Sequence, residues 1–350
     1  MSQLNVAVLF GGRSPEHEVS LQSAASVLRN LDRKRFCPLP VGISKAGDWF
    51  LFSGNEDAIA DGSWLSLPEC EPCVLLPNRS ARSLLVHAPA GDKRIPIHAV
   101  FPVLHGSNGE DGTVQGLVEL AGLPLVGCGT LSSALCMDKH RAHQLASLAG
   151  VAVPRGRVVD ARTPREEVLR FAREIGYPLF VKPVRAGSSF GIARVEGPEG
   201  VPDALQLALR YDREALLEEA IPGFEVGCAI VGRGADLCLG EVDEVELASG
   251  FFDYEEKYTL KTSALHVPAR LAPADAARVR EAAVAVYRAL DCAGFARVDL
   301  FFTPEGRVVF NEVNTIPGFT EHSRFPGMLR AAGYGFSEIL TRMVEEALRA

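Results

Sequence analysis

The segment that most restricts this chain lies near its C-terminal end, where ARVDLFF (296–302) is followed by a turn and then VVFNEVNTIPG (308–318). Residues 296–302 alternate with the two-residue period of a half-buried strand, which puts Arg297 and Asp299 on one face and Val298 and Leu300 on the other. Thr303-Pro304-Glu305-Gly306 is a turn by composition. A turn that sets Thr303 opposite Gly306 pairs Arg297 with Glu312 and Asp299 with Phe310, and brings Glu312 and Asn314 onto the same face. Two carboxylates and an amide oxygen are hard ligands suited to Mg²⁺, which takes its remaining ligands from water and substrate phosphates. An arginine beside them offsets anionic charge that develops during transfer. The same residues also fit an ordinary solvated hairpin face.

The rest of the chain decides between those readings. Its 350 residues, 47% hydrophobic and 23% charged, suffice for two or three domains with cores of their own. A net charge of -8 argues against a general nucleic-acid or membrane-surface binder and for small-molecule partners, while leaving room for a nucleotide in a local basic pocket. The N-terminus has no basic start or small-residue cleavage site, and no apolar run is long enough to span a bilayer; a cytoplasmic protein is expected. The eight cysteines, mostly in apolar segments, fit buried thiols better than a disulfide framework. Cys70 and Cys73 form a lone pair without the second pair a structural zinc needs. His140 and His143, one helical turn apart with no third ligand nearby, are expected on the surface.

Taken in order, residues 5–10 predict a buried strand ending in Gly11-Gly12, with Ser14-Pro15 as cap and first position of a helix striped by Leu21, Ala24, Ala25, Leu28 and Leu31. This is the start of an open α/β unit. Glu16, in the first helical turn, suits either the helix dipole or a substrate ammonium. Residues 53–98 suggest short strands. The strand 100–104 runs into HGSNGEDG (105–112), a loop where open α/β sheets place ligands, and residues 113–122 are helical. A helix over 132–149 contains Lys139, and Thr163-Pro164 caps another that Gly176 stops.

Strand 179–182 leads into PVRAGSSFG (183–191), and 192–195 returns as a strand. Small residues there let backbone N–H groups close over phosphate while Lys182 supplies charge. A plain hairpin with a long turn is the alternative. Strand 215–218, the linker Glu219-Ala220-Ile221-Pro222-Gly223 and a strand from Phe224 carrying Glu225 suit a hinge that holds a purine. FFDYEEKY (251–258) has the composition of a loop that folds over a site, and 273–290 and 336–348 are helices.

In sequence order, GGRSPEHEVSLQSA (11–24), HGSNGEDGTVQG (105–116), MDK (137–139), KPVRAGSSFG (182–191), FFDYEEKY (251–258), ARVDLFF (296–302) and NEVNTIPGFTEHS (311–323) resemble the D-alanine–D-alanine ligase family of ATP-grasp enzymes over nearly the whole chain. The resemblance implies an α/β (α+β) ATP-grasp fold in three domains. These are an N-terminal open α/β domain (1–127), a central subdomain with the glycine-rich loop (128–217), and a C-terminal subdomain with the mobile loop and metal site (218–350).

It also implies roles. Asp299, Glu312 and Asn314 would hold two Mg²⁺ ions, with Mn²⁺ as a substitute, bridging the phosphates of ATP. Lys139, Lys182, the backbone from Ser188 through Ser189 to Gly191, and Lys257 would bind phosphates. Glu218, Glu219, Ala220, Ile221 and Glu225 would contact adenine and ribose, with Phe310 packed beneath the base. Glu16, helped by Ser188 and Tyr258, would bind the ammonium of the first D-alanine, and His105 would lie near its carboxylate. Arg297 and the Gly318 N–H would stabilise a tetrahedral oxyanion. ATP would phosphorylate the carboxylate of D-alanine, and the amine of a second D-amino acid would displace phosphate to give a dipeptide for peptidoglycan precursors. A homodimer is compatible with the resemblance.

Ser323 would bind the acceptor's carboxylate. The next residue, usually apolar in D-Ala–D-Ala enzymes, is Arg324, as in the branch that makes D-Ala-D-Ser, whereas that branch often has phenylalanine where this chain keeps Tyr258. A guanidinium hydrogen-bonding the serine hydroxyl favours D-serine as acceptor. D-alanine is the alternative, and Lys257-Tyr258 speaks against D-lactate. A ligase for an unrelated acid fits Glu16 with HGSNGEDG poorly. An inactive nucleotide sensor would be expected to have lost Arg297, Asp299, Glu312 or Asn314, and all are present.

Overall fold

The computed structural model describes residues 3–247 and 263–349; Lys257, Tyr258 and the segment around them lie outside the described residues. Strand Leu4–Gly11 is buried from Val6 onward, and cover on both faces explains its unbroken apolar run. It pairs in parallel with Phe36–Ile43 and Ala99–Pro102, and helix His17–Asn30 makes the crossover to the first. Trp49–Phe52 and then the short strands of the 53–98 region, Cys70–Leu75, Ser83–Ala88 and Gly91–Pro96, extend this sheet in antiparallel fashion.

Two glycines turn the chain after the first strand. Gly11 has φ +87°, and a Cβ there would lie 2.3 Å from the Ile43 carbonyl oxygen, which also accepts the Gly12 N–H at 2.9 Å. Ser14 and Pro15 precede the helix instead of opening it. The Ser14 hydroxyl accepts the Glu16 N–H at 3.1 Å and is used within the turn, so Glu16 takes the N-cap position and the helix starts at His17.

The second sheet, Gly156–Asp160, Glu214–Glu219, Leu179–Pro183 and Ala193–Val195, is antiparallel. It has its own core, which includes Val168 and Ala172 of helix Arg165–Ile175 and Val201 and Ala204 of helix Val201–Ala208. The expected boundary at 217/218 cuts through a strand here. Glu218 pairs with Phe180 and Glu219 with Leu179, so the change of sheet comes in the linker 220–223.

The third sheet is built from Phe224–Arg233, Asp236–Leu239, Asp243–Leu247, Ser263–His266, Phe295–Phe302 and Val308–Asn314, and helix Pro273–Ala289 packs on it. The single helix expected over 132–149 is two, Thr130–Met137 and Lys139–Leu148. Asp138 between them accepts the Arg141 N–H at 3.0 Å, and a side chain that caps a new helix ends the one before it. Cys128, Cys136, Ala142, Ala146 and Val151 share a core with Val279, Val286 and Val298. Residues 128–151 therefore share their apolar core with the C-terminal unit, while polar contacts such as the Lys139 N–H to the Val184 carbonyl at 3.1 Å reach the central one.

The first and third units are joined by aromatic packing. Phe295 and Phe319 lie 5.3 Å apart edge to face, and Phe101 of the N-terminal sheet reaches them at 5.9 and 5.8 Å. Helix Phe336–Arg349 closes the same core with Ile339, Leu340 and Met343. Glu16 and Arg297, far apart in sequence, are thereby carried on one packed platform. Among the described residues no helix is long and apolar enough to cross a membrane. Replacing Gly11 by alanine adds a Cβ against backbone in a left-handed conformation. The variant is expected to lose about 1–3 kcal/mol, read as a lower urea midpoint by fluorescence, whereas Gly150→Ala, with nothing near its Cβ position, tests the conformational cost alone.

Candidate active site

The hairpin forms with a register different from the one its composition suggests. The turn closes on Arg307, whose carbonyl accepts the Thr303 N–H at 2.9 Å, and a bulge at Asn311 follows between the Leu300–Phe310 and Asp299–Glu312 pairs. Each irregularity displaces the pairing by one residue. At Glu312 and Asn314 the two displacements together restore the expected face, so Asp299 lies opposite Glu312 and Arg297 opposite Asn314. At Phe310 only one has acted. Its ring turns to the core with Val298 and Leu300, fully buried, and lies off the face where packing beneath a base was expected. Among the described residues, the aromatic side chains along the neighbouring cavity are Phe180, Phe224 and Phe301.

Asp299 is the buried centre of a charge cluster. Arg297 grips it in bidentate fashion at 2.8 and 2.7 Å, the Asn314 amide donates at 2.8 Å, and Arg324 approaches within 3.4 Å. Arg324 does not simply present itself to the cavity it lines. It makes two bonds to Asp243, at 2.7 and 2.9 Å, and a third to Glu225. Three carboxylates, Asp299, Asp243 and Glu225, thus share two guanidinium groups, with Glu312 beside Asp299. The carboxylates of Asp299 and Glu312, opposite each other on the hairpin, are hard oxygen donors of the type a divalent ion takes, and Asn314, having donated through its nitrogen, keeps its carbonyl oxygen as a third. Asp243 was missed by sequence reading, because an acid within EVDEVE looks like any solvated strand face.

One cavity lies over this cluster and brings together Glu16, His105, Ser188, Arg297, Glu312, Asn314, Gly318, Ser323 and Arg324. Glu16 is held between two glycine-containing loops: a Cβ on Gly106 would lie 2.5 Å from its Oε2 and one on Gly187 3.1 Å away. The Ser188 hydroxyl donates to its other oxygen. Ser188 and Ser189 both have positive φ, at 48° and 59°, a cost accepted where the loop must fold over the site. Gly318 is needed for a close approach as well, since a Cβ there would meet Ser323 Oγ at 2.7 Å.

A second cavity gathers Lys139, Lys182, Ser189, Glu218, Glu219, Ala220, Ile221 and Glu225. Lys182 and Glu218 form a buried pair at 2.6 Å, and Lys139 donates to the Ala186 carbonyl at 2.6 Å. The Glu219 carboxylate is bound by the backbone N–H and guanidinium of Arg155. Gly191 does not line the cavity; its φ of +74° and the contacts of a Cβ with Tyr211 and Pro183, at 2.6 and 2.8 Å, make it a conformational requirement of the loop. The two cavities share Lys139, Ala186 and Glu312, and Lys139 lies 3.7 Å from the Glu312 carboxylate. All eight cysteines are free thiols, and the Cys70 thiol donates to the Trp64 carbonyl.

His105 is more constrained than a substrate ligand would need to be. The Phe319 N–H donates to Ser23 Oγ at 3.2 Å, the Ser23 hydroxyl to His105 Nε2 at 3.2 Å, and His105 Nδ1–H to the Ile316 carbonyl at 2.8 Å. That direction along the chain holds for the neutral imidazole, which burial favours by lowering the His105 pKa below the usual histidine value. His143, expected on the surface, is also buried and its pKa is lowered by desolvation. A histidine whose folded pKa is depressed stabilises the fold above its unfolded pKa of about 6.5, and that contribution is lost as pH falls from there toward the folded value. Urea midpoints are expected to drop between pH 7.5 and 5.5, and His105→Gln, which does not titrate, to show a shallower drop.

With this geometry in place, comparison with known proteins is direct. Residues 5–128 match the family model for the D-ala D-ala ligase N-terminus and residues 145–345 that for the C-terminus. A putative D-alanine–D-lactate ligase of Streptomyces coelicolor is 45% identical over 352 residues, covering 99% of both chains. A D-alanine–D-alanine ligase of Caldicellulosiruptor bescii is 39% identical over 355 residues, covering 99% of this chain and 96% of that one. The crystal structure of the VanG D-Ala:D-Ser ligase from Enterococcus faecalis superposes with a TM-score of 0.92 at 49% identity, over 99% of this chain and 100% of the other. The two family models, together spanning most of the chain, and relatives that align over nearly its whole length show that this protein belongs to the D-alanine–D-alanine ligase family and has the ATP-grasp fold.

Proposed function

We propose that the protein joins D-alanine to a second D-amino acid at the expense of ATP, with D-serine the favoured acceptor, to supply a dipeptide for peptidoglycan precursors. The observation that carries this reading is the meeting of two cavities at Lys139 and Glu312. One has the basic and hinge residues expected around a nucleotide; the other has a buried carboxylate suited to an ammonium and two arginines at its floor. A γ-phosphoryl group at the junction lies between them.

In this reading Glu16 holds the ammonium of the first D-alanine, with the Ser188 hydroxyl fixing the carboxylate that does so. An oxygen of the substrate carboxylate attacks the γ-phosphorus, the bond to ADP breaks, and Lys139 and Lys182 offset the charge. The neutral amine of the second substrate then attacks the acyl carbon. Arg297 and the Gly318 N–H face the oxyanion, phosphate leaves, and the nitrogen loses a proton. Asp299, Glu312 and Asn314 would hold Mg²⁺, which neutralises phosphate charge when bound. Lys257 and Tyr258 lie outside the described residues.

D-serine is favoured by Arg324, which lines the substrate cavity next to Ser323, and by the 49% identity to the VanG D-Ala:D-Ser ligase. D-alanine and D-lactate, the acceptors in the names of the other two relatives, are the competing acceptors. Purified protein with ATP, Mg²⁺ and D-alanine, with D-serine or D-lactate added in turn, is expected to release phosphate and form D-Ala-D-Ser in excess; phosphate release without any dipeptide, or no release at all, overturns the reading. Arg324→Met alone strands the buried Asp243 carboxylate. The double variant Asp243→Asn/Arg324→Met avoids this and is expected to raise the ratio of D-Ala-D-Ala to D-Ala-D-Ser about tenfold. An unchanged ratio removes Arg324 from acceptor choice. Chelation of divalent ions with EDTA is expected to abolish phosphate release and excess Mg²⁺ to restore it.

A further inference from the structure

His143 belongs to none of the roles described so far, yet it is buried where helix Lys139–Leu148 meets the edge strand Val308–Asn314. The bulge leaves Asn311 without a partner on strand Phe295–Phe302. Its carbonyl oxygen is met by His143 Nε2 at 2.8 Å, and since a carbonyl only accepts, Nε2 carries the proton. The ring stands edge-on to Phe310, with centroids 5.5 Å apart, and Nδ1 lies 3.6 Å from Glu218 Oε2. Lys139 sits four residues earlier on the same helix, hence on the same face, and pairs with Glu312. One helical turn therefore grips two consecutive residues of the bulged strand, the backbone of Asn311 and the side chain of Glu312.

We propose that His143 is a positioning residue of the nucleotide site: by holding the bulge carbonyl of Asn311 it fixes the direction in which Glu312 faces the nucleotide phosphates. The inference deepens the functional reading above and rests on it. An unsatisfied carbonyl at an irregular point of an edge strand has several orientations open to it, and Glu312, the next residue, turns with it. A donor on a helix that also carries Lys139 restricts strand and lysine together. The ring contact with Phe310 anchors the residue on the other side of the bulge.

The test uses calorimetric binding of Mg²⁺·ADP, a readout independent of turnover, together with kcat and the KM for D-alanine. His143→Leu removes the donor at similar volume, while His143→Gln places an amide N–H near the Nε2 position. Binding of Mg²⁺·ADP is expected to weaken about tenfold in His143→Leu, a loss of about 1.4 kcal/mol, with the KM for D-alanine within twofold of wild type and most of the loss recovered in His143→Gln. Equal binding by the two variants, or a KM for D-alanine that moves as far as the nucleotide affinity, overturns the proposal. Should the leucine variant not fold, His143→Asn, whose shorter amide does not reach Asn311, replaces it with the same two outcomes. Wild-type protein that binds Mg²⁺·ADP but makes no dipeptide overturns the functional reading and leaves this comparison decisive; wild-type protein that binds no nucleotide overturns both.

Discussion

The ionic contact between Asp299 and its two arginines is the interaction on which the site depends. Burying a carboxylate costs several kcal/mol unless it is paired and hydrogen-bonded, and here Arg297, Asn314 and Arg324 all converge on one carboxylate. A well-packed apolar triad would stabilise the sheet at least as well, so this arrangement makes better sense as chemistry than as scaffolding. It keeps donors and acidic oxygens fixed before any substrate arrives, so little reorganisation remains at the moment of reaction. Arg324 extends the cluster to Asp243 and to Glu225, which ties the floor of the substrate cavity to the wall of the nucleotide cavity.

Fixing such a cluster requires rigid surroundings, and the packing supplies them unevenly. The N-terminal sheet and the third sheet share one aromatic core through Phe101, Phe295, Phe319 and Phe325, so Glu16, Arg297 and Gly318 are set by the same packing. The central sheet has a separate core and brings Lys182, Glu218 and the glycine loop to the site from outside that platform. Ser188 links the glycine loop to that platform through its bond to Glu16, 172 positions away in the chain, and Lys139 does so through the Ala186 carbonyl. A nucleotide between the second and third sheets and a substrate between the first and third would each be held by two units.

Much of the candidate site was legible because its residues announce themselves by local pattern. The alternation in ARVDLFF put Arg297 and Asp299 on one face, and glycines marked the loops that close on Glu16. Three of the differences share one cause. A one-residue change in a turn, an Asn311 bulge and an Asp138 helix break are decided by small local energies that composition does not resolve, yet each alters facing or packing downstream. Phe310 was placed on the wrong face because one irregularity was missed before it, while Glu312 and Asn314 were placed correctly because two missed irregularities cancelled in parity.

By itself, then, the sequence determined the strand and helix periods, the family resemblance and the residue types at the site, since these follow from spacing along a single chain. Only the tertiary structure decided that Arg324 is held by Asp243 and Glu225, that both His105 nitrogens are occupied, and that His143 is buried against the Asn311 carbonyl. The physical reason is that a side chain's partners depend on which distant segments share its burial, and partners across about 80 to 210 positions of chain are set by the packing of sheets against helices.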